Sequence, residues 1–209
     1  MHILVLGASG SVGRLVVERA LDRRHEVTAL LRLPEKLSGL AERLRIVQGD
    51  ALDTRAVDRA VSGQDAVIYA LGAGRVRRTT LFSESTLVLL TAMTQHRVRR
   101  LICVTGVGAG ETKGHGGFLY DRILYPLFTK GIYADKDKQE SLIRQTDIDW
   151  TIVRPAPFRK DKPPGPLQVL TDVGNVTLGR ISRLEIAEFL VAELEHPRFV
   201  RQAVFIGHG

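Results

Sequence analysis

Two kinds of hydrophobic pattern alternate along the chain. Short strands are predicted at 3–6, 27–31, 45–48, 66–70, 101–105, 151–154 and 203–206, and most of them are apolar runs typical of strands buried on both faces of a parallel sheet. Between most of these runs the apolar residues recur at helical spacing, with helices predicted from about 79 to 96 and from about 133 to 146. This order predicts an α/β protein with a doubly wound parallel sheet and right-handed crossovers.

The last part of the chain departs from this regular alternation. Arg159 to Pro166 is rich in Lys and Pro and is predicted to be irregular, and Val169 to Leu178 is predicted to form short strands or a hairpin. Ser182 and Glu185 fit a capping box that begins a final helix. These pieces are too small for a separate domain, so residues 1–209 are predicted to form one domain. We expect the C-terminal pieces to fold over the carboxyl ends of the strands and to shape a substrate pocket.

The first strand leads into a turn with the spacing G-x-x-G-x-x-G. Gly7 permits a sharp reversal, Gly10 would let backbone N–H groups approach a pyrophosphate, and Gly13 would bring the helix start against the strand. The free N–H groups at the start of that helix favour an anion, and Ser9 and Ser11 add hydroxyl donors. The strand–turn–helix context predicts a nucleotide cofactor; the alternative is a glycine turn used only for packing.

The ends of the second and third strands bear on which dinucleotide would bind. An acidic residue after the second strand suits the ribose 2′-hydroxyl of NAD, whereas a basic residue suits the 2′-phosphate of NADP. The residue at this position is Arg32, which predicts NADP(H), the alternative being a solvated arginine in an arginine-rich chain. Asp50 follows the third strand and is a candidate either for an adenine contact or for a cap of the next helix.

Glycine-rich segments follow the fourth and fifth strands. The stretch Leu71-Gly72-Ala73-Gly74 has small residues that would let a cofactor pass close to the backbone. The longer segment from Gly106 to Gly117 is interpreted as a flexible lid or substrate loop. Tyr120, Tyr125 and Tyr133 lie beyond it and are candidates for the pocket wall, with core packing as the alternative.

Composition excludes several other classes of protein. Of the 209 residues 44% are hydrophobic and 25% are charged, as in an ordinary globular protein, and no apolar run is long enough to span a bilayer. The net charge is +7, but the basic residues are scattered, so nucleic acid is not an expected partner. Cys103 is the single cysteine and no histidine has metal-ligand spacing, so neither a disulfide nor a metal is expected. The first strand begins almost at Met1 without a recognisable signal, which predicts a cytoplasmic protein without a membrane partner.

Four stretches of the chain together resemble a known family. They are Gly7-Ala8-Ser9-Gly10-Ser11-Val12-Gly13, Gly49-Asp50, Gly63-Gln64-Asp65-Ala66-Val67-Ile68 and Asp149-Trp150-Thr151-Ile152-Val153-Arg154-Pro155. They are similar to the atypical short-chain dehydrogenase/reductase family, and within it to the NAD(P)H-binding group that includes biliverdin reductase B (flavin reductase) and the NmrA-like proteins. The resemblance implies a Rossmann-like three-layer α/β/α sandwich and a nicotinamide cofactor, often NADPH.

The resemblance also implies roles for individual residues. It assigns the 2′-phosphate to Arg32, the adenine to Asp50 and Ala51, and the path to the nicotinamide to Leu71, Gly72 and Thr105. Lys136 is a candidate for the nicotinamide ribose, and Pro155 is a further candidate for a cofactor contact. The residues that would hold the pyrophosphate are Gly7, Ser9, Gly10, Ser11, Val12 and Gly13.

The sequence departs from the better-known branch of this family in its tyrosine and lysine. That branch uses Tyr-x-x-x-Lys, in which the lysine lowers the pKa of a tyrosine that passes a proton to a carbonyl. Here Tyr133 is followed four residues later by Asp137, and Ile132 stands four residues before Lys136. The fifth strand ends in Thr105, where a catalytic serine often stands. Lys136, Tyr133 and Thr105 are therefore the candidate catalytic residues, without the family's usual spacing.

Three functional hypotheses follow from these observations. The first is an NADPH-dependent oxidoreductase that transfers hydride to a small planar acceptor such as a flavin or quinone, which needs little acid catalysis by the protein. The second is a non-catalytic NADP(H)-binding redox-sensing regulator of the NmrA-like type, which the unusual tyrosine spacing supports equally. The third, an isomerase or epimerase of nucleotide sugars, is disfavoured because such proteins carry a larger substrate domain. The sequence leaves the oligomeric state as monomer or homodimer.

Overall fold

The computed structural model describes residues 1–72, 74, 76, 78–115, 117, 122, 130–160, 165–174 and 176–209. The predictions made for Tyr120 and Tyr125 lie outside the described residues. The described strands are β1 (His2–Leu6), β2 (Glu26–Leu31), β3 (Arg45–Gln48), β4 (Ala66–Tyr69), β5 (Arg100–Val104), β6 (Asp149–Pro155), β7 (Phe158–Arg159), β8 (Leu167–Leu170), β9 (Ile181–Ser182) and β10 (Gln202–His208). The described α-helices are α1 (Gly13–Asp22), α2 (Thr54–Val61), α3 (Leu81–Gln95), α4 (Lys130–Arg144) and α5 (Arg183–Glu195), and 3₁₀ helices span Pro34–Arg43 and Gly110–Thr112.

Eight of the described strands form one sheet in the order β3-β2-β1-β4-β5-β6-β10-β8. All neighbouring strands in it are parallel except β8, which runs antiparallel to β10 at the edge. The strand order runs outward from β1 in both directions, which is the doubly wound arrangement, and ligands of such sheets bind where the order reverses, at the carboxyl ends of the strands. The predicted fold class is confirmed.

The side chains of β1 show how the sheet is buried on both faces. Ile3 and Val5 belong to a core cluster with residues of α1 and α5, whereas Leu4 and Leu6 belong to a second cluster with residues of α2 and α3. All four side chains are at most 1% exposed. Because successive residues of a strand face opposite sides, an unbroken apolar run is what a central strand with helices on both faces requires.

The C-terminal elements differ from the prediction. β10 joins the main sheet beside β6, and β8 pairs with β10 rather than forming a hairpin of its own. α5 packs against α1 on one face of the sheet, and its predicted capping box is confirmed, since the Ser182 hydroxyl accepts from the amide of Glu185 and the carboxylate of Glu185 accepts from the amide of Ser182. The expectation that all these pieces cover the carboxyl ends is therefore wrong for β8, β10 and α5, because β10 and β8 extend the sheet at its edge and α5 packs on its face.

The segment from Gly106 to Gly117 is not an open lid over its first part. Val107, Ala109 and Thr112 are at most 2% exposed, and the amide of Val107 donates to the carbonyl of Pro155 at 3.0 Å. The Thr112 hydroxyl donates to the carbonyl of Ala109 at 2.7 Å and closes a tight turn. The prediction followed the glycine content and overlooked that the residues between the glycines are suited to burial.

Candidate functional site

Two adjoining cavities lie at the carboxyl ends of the central strands. The smaller, of about 360 Å³, lies at the ends of β1, β2 and β3, and the larger, of about 550 Å³, at the ends of β5 and β6. Gly10, Leu71 and Gly72 line both cavities. The two cavities therefore adjoin at these three residues, where the strand order reverses, and together they are called the cleft.

The glycine turn between β1 and α1 forms the floor between the two cavities. Gly7 has a φ of +83°, and a Cβ there would lie 2.6 Å from the carbonyl carbon of Ala70. A Cβ at Gly13 would overlap the carbonyl oxygen of Gly7 and lie 2.7 Å from its carbonyl carbon. Within the described residues, the amides of Ser11, Val12 and Gly13 donate to no backbone carbonyl. These free N–H groups at a helix start fit a pyrophosphate, as the sequence predicts.

The smaller cavity carries two cations. Arg32 and Lys36 both line it, together with Asp50 and Ala51. The Asp50 carboxylate lies 3.8 Å from the guanidinium of Arg32 and accepts from the amide of Leu52 at 3.0 Å. Lys36 was missed by the sequence reasoning. The available signal was Pro34, which begins a helical turn two residues after Arg32 and carries Lys36 back towards the cavity.

The larger cavity brings together the candidate catalytic residues. Thr105 and Gly106 line it from the end of β5, Tyr133 and Lys136 from α4, and Pro155 from the end of β6. The Nζ atom of Lys136 donates to the carbonyl of Thr105 and lies 5.6 Å from the centre of the Tyr133 ring. Residues three apart share a helix face as residues four apart do, so the tyrosine and lysine meet at the cavity although the four-residue spacing is absent. Their catalytic roles stay predictions.

Burial controls the chemistry of Lys136. Removal from water lowers the pKa of its ammonium group to about 8, and the neighbouring Cys103 and Glu140 oppose this shift. The ammonium also lies 4.9 Å from the centre of the Phe82 ring. Burial raises the pKa of the Cys103 thiol, and the predicted buried core thiol is confirmed. Lys136 is thus a cation that loses its proton near pH 8, at the wall of a largely apolar cavity.

The hydroxyl of Thr105 belongs to a buried network behind the cavity. It donates to Oε1 of Glu140 at 2.7 Å, and the Nε atom of Arg154 donates to the same oxygen at 3.0 Å. A second guanidinium nitrogen of Arg154 donates to the other oxygen of Glu140, and the third donates to Glu111. The hydroxyl hydrogen bond of Thr105 therefore holds the end of β5 in place. Neither Glu140 nor Arg154 was identified as a site residue from the sequence.

α4 is held against its neighbours on several sides. The Asp135 carboxylate accepts from the amide of Phe82 at 2.8 Å and so caps the start of α3. The Gln139 amide donates to the hydroxyl of Thr86 at 2.8 Å, and Asp137 accepts from the amide of Gly110 at 2.9 Å. These contacts fix the rotation of the helix that carries Tyr133 and Lys136.

The described residues offer neither a metal cluster nor a membrane helix. No group of three or more His, Cys, Asp or Glu side chains able to hold a metal ion occurs among them. His115 is bound instead to the carbonyl of Val176 at 2.8 Å. No described helix combines the length and the apolar composition needed to cross a bilayer.

The fold and the cleft define a dinucleotide-binding α/β protein. The chain belongs to the NAD(P)H-binding family, whose model matches residues 7–197, and the predicted membership of an NAD(P)H-binding group is confirmed. The uncharacterized protein YwnB of Bacillus subtilis is 30% identical, with 94% of this chain and 93% of that protein covered.

Two solved structures are similar to it in fold. One is ChuY, described as an anaerobillin reductase from Escherichia coli O157:H7, with a TM-score of 0.83 and 20% identity over 100% of this chain and 97% of that one. The other is a short-chain dehydrogenase/reductase from Veillonella parvula in complex with NADP, with a TM-score of 0.81 and 16% identity over 99% of this chain and 94% of that one.

Proposed function

We propose that this protein is an NADPH-dependent reductase that transfers hydride to a small planar acceptor such as a flavin or quinone. The observation that carries the proposal is the larger cavity, which opens directly from the dinucleotide cleft and has room for a ring system beside a nicotinamide. Its wall is mostly apolar, with side chains of Val12, Leu71, Val104, Val107, Ala156, Pro157 and Phe158. An apolar slot with a few polar groups at one side is typical of sites that bind flat conjugated molecules.

The smaller cavity supports NADPH over NADH. A 2′-phosphate would meet two cations, Arg32 and Lys36, and the acidic residue in the same cavity, Asp50, is already engaged by Arg32 and by the amide of Leu52. A free carboxylate placed for a ribose 2′-hydroxyl would favour NAD instead. The NADP complex of the Veillonella parvula protein, which shares this fold, supports the same assignment.

The residues of the chain divide the work in the following way. The amides of Ser11, Val12 and Gly13 would hold the pyrophosphate, and Leu71 and Gly72 would let the cofactor pass from one cavity to the other. NADPH, when bound, supplies the hydride. The apolar wall excludes water from the acceptor ring, and Lys136 offers a proton donor whose pKa of about 8 suits transfer near neutral pH. Tyr133, on the same helix face, offers a hydroxyl to the same space.

The test is a binding and turnover experiment on the intact protein. Titration with NADPH, NADH, NADP+ and NAD+ should show preference for the phosphorylated pair, and addition of FMN or a quinone should then cause loss of the reduced-nicotinamide absorbance. The double variant Arg32→Gln/Lys36→Gln should weaken NADPH binding roughly tenfold or more, because charge-assisted hydrogen bonds to the 2′-phosphate are lost. NADH lacks this phosphate, so its binding should be nearly unchanged. Arg24→Gln, which changes an exposed residue shortly before the amino end of β2, is the matched control, because the cleft lies at the carboxyl ends of the strands.

Three outcomes would contradict the proposal or part of it. Tight binding of both NADPH and NADP+ with no oxidation by any acceptor would favour the non-catalytic regulator. Absence of dinucleotide binding would refute the assignment of the glycine turn itself. Equal loss of NADPH and NADH binding in the double variant would show that the two cations do not read the 2′-phosphate.

A further inference from the structure

The larger cavity has charged residues of one sign. Two of the residues that line it carry a formal charge, Lys136 and Arg180, and both are cations. No acidic side chain occurs among its described lining residues. Glu140 lies behind the cavity wall near Lys136 and not in the lining, where it is paired with Arg154. The lining itself presents only cations, and cations at an apolar cleft attract anions.

Arg180 is presented to this cavity by a fixed backbone. On one side, the amide of Gly179 donates to the carbonyl of His208 at 2.6 Å. On the other side, the amide of Ile181 donates to the carbonyl of Pro157 at 3.2 Å, and Ile181 pairs with Phe158 between β9 and β7. The residue is exposed and forms no ion pair with a carboxylate of the described residues. Its guanidinium is therefore available to a ligand, while its main chain is held on both sides.

A neighbouring arginine is engaged differently. The Nε atom of Arg183 donates to the hydroxyl of Ser11 at 3.1 Å, and its guanidinium carbon lies 4.9 Å from the centre of the Phe158 ring. Arg183 is thus fastened to the glycine turn, where the pyrophosphate of the cofactor is expected. An anion bound at Arg180 would therefore be distinct from the pyrophosphate and would belong to the acceptor that shares the cleft with the cofactor.

We propose that Arg180 binds an anionic group of the acceptor, a phosphate or a carboxylate, so that the protein prefers planar acceptors with an acidic tail over neutral ones. The inference rests on the proposed reductase function and names its substrate class. With the ring against the apolar wall near Lys136, the tail would reach the mouth of the cavity at Arg180. A guanidinium suits this task because its planar set of donors matches carboxylate and phosphate oxygens.

The test uses two acceptors that share one ring system. FMN and riboflavin differ by a single phosphate, and their binding to the NADP+ complex is measured by quenching of flavin fluorescence, in parallel with KM values under NADPH. We expect Arg180→Gln to raise the Kd and KM for FMN roughly tenfold, as for loss of a charge-assisted hydrogen bond, and to change those for riboflavin less than about twofold. Arg180→Lys should keep part of the preference, and Arg24→Gln, which removes the same charge far from the cleft, should keep all of it.

The control measurements separate this inference from the function on which it rests. NADPH affinity should be unchanged in Arg180→Gln; a parallel loss would assign Arg180 to the cofactor and overturn the proposal. Reduction of both flavins with no difference between them in the wild-type protein would also overturn it, while the reductase assignment survived. A quinone carboxylate and its neutral amide provide a second pair, and preference for the carboxylate that disappears in Arg180→Gln would support the proposal for that anion too. Binding that prefers the anionic member of each pair, without any oxidation of NADPH, would support the anion site and refute the reductase.

Discussion

Replacement of Glu140 by Gln tests whether the buried ion pair behind the cavity holds the site together. The side chains of Glu140 and Arg154 are 4% and 3% exposed, and the other carboxylate bound to Arg154 belongs to Glu111, which is 65% exposed. When Glu140 loses its charge, the buried guanidinium of Arg154 keeps only one carboxylate partner, the largely solvated Glu111. Breaking a buried pair in this way costs about 3–5 kcal/mol, and we expect the lower part of that range because the Gln oxygen still accepts one hydrogen bond.

The measurement is unfolding by urea and by heat, followed by circular dichroism, of five proteins: wild type, Glu140→Gln, Arg154→Met, the double variant of these two, and Glu111→Gln. A loss of about 3 kcal/mol would lower the melting temperature by roughly 6–12 °C in a chain of this size. Because the two side chains share one interaction, the double variant should lose clearly less than the sum of the singles. Glu111→Gln, which removes the exposed partner of the same arginine, should cost no more than about 1 kcal/mol. The reasoning would be refuted if Glu140→Gln lowered the free energy of unfolding by less than about 1 kcal/mol. It would also be refuted if the loss in the double variant equalled the sum of the losses in the two single variants.

Two further predictions concern the glycine turn and the lysine. Gly13→Ala should abolish dinucleotide binding in a calorimetric titration, because its Cβ would overlap the Gly7 carbonyl oxygen, whereas Gly39→Ala, with no atom within 4 Å of the added carbon, should bind normally. If the Lys136 ammonium is the required form, kcat/KM should be at its full value below pH 8 and fall as the pH rises through about 8, where the group loses its proton. The Lys136→Met variant should have a lower kcat/KM that does not decline as the pH rises through about 8. If the pH profiles of kcat/KM are identical in the two proteins, Lys136 is excluded as the source of the decline.

Local pattern was sufficient to predict most elements of the fold. The run at β1 and the glycines after it are contiguous in sequence, and burial on both faces leaves a continuous apolar signature that needs no knowledge of the partner strands. The capping box at Ser182 is equally local, and it was predicted. The placement of β8 depends on which edge is free after β10 has paired, and this is a property of the assembled sheet.

The parts of the site that were missed depend on contacts between separate elements. Glu140 and Arg154 lie on α4 and β6, and only the packing of that helix on the sheet brings them together. Tyr133 and Lys136 were both predicted as candidates, but their adjacency on one face of α4 was not, since the family spacing of four was tested and the equally adjacent spacing of three was not. Lys36 likewise required the geometry of the turn after Pro34.

The anchoring of α4 also limits how this protein could change its substrate. Four side chains between residues 135 and 140 each bind a different residue outside α4: Asp135, Asp137, Gln139 and Glu140. Together these contacts fix the rotation of this part of the helix about its axis. Insertion of one residue before Asp135 would turn these side chains by about 100° and would break all four attachments at once. New specificity is therefore expected to arise by exchange of residues such as Arg180 at the mouth of the cleft, while the helix behind the reacting groups keeps its length and phase.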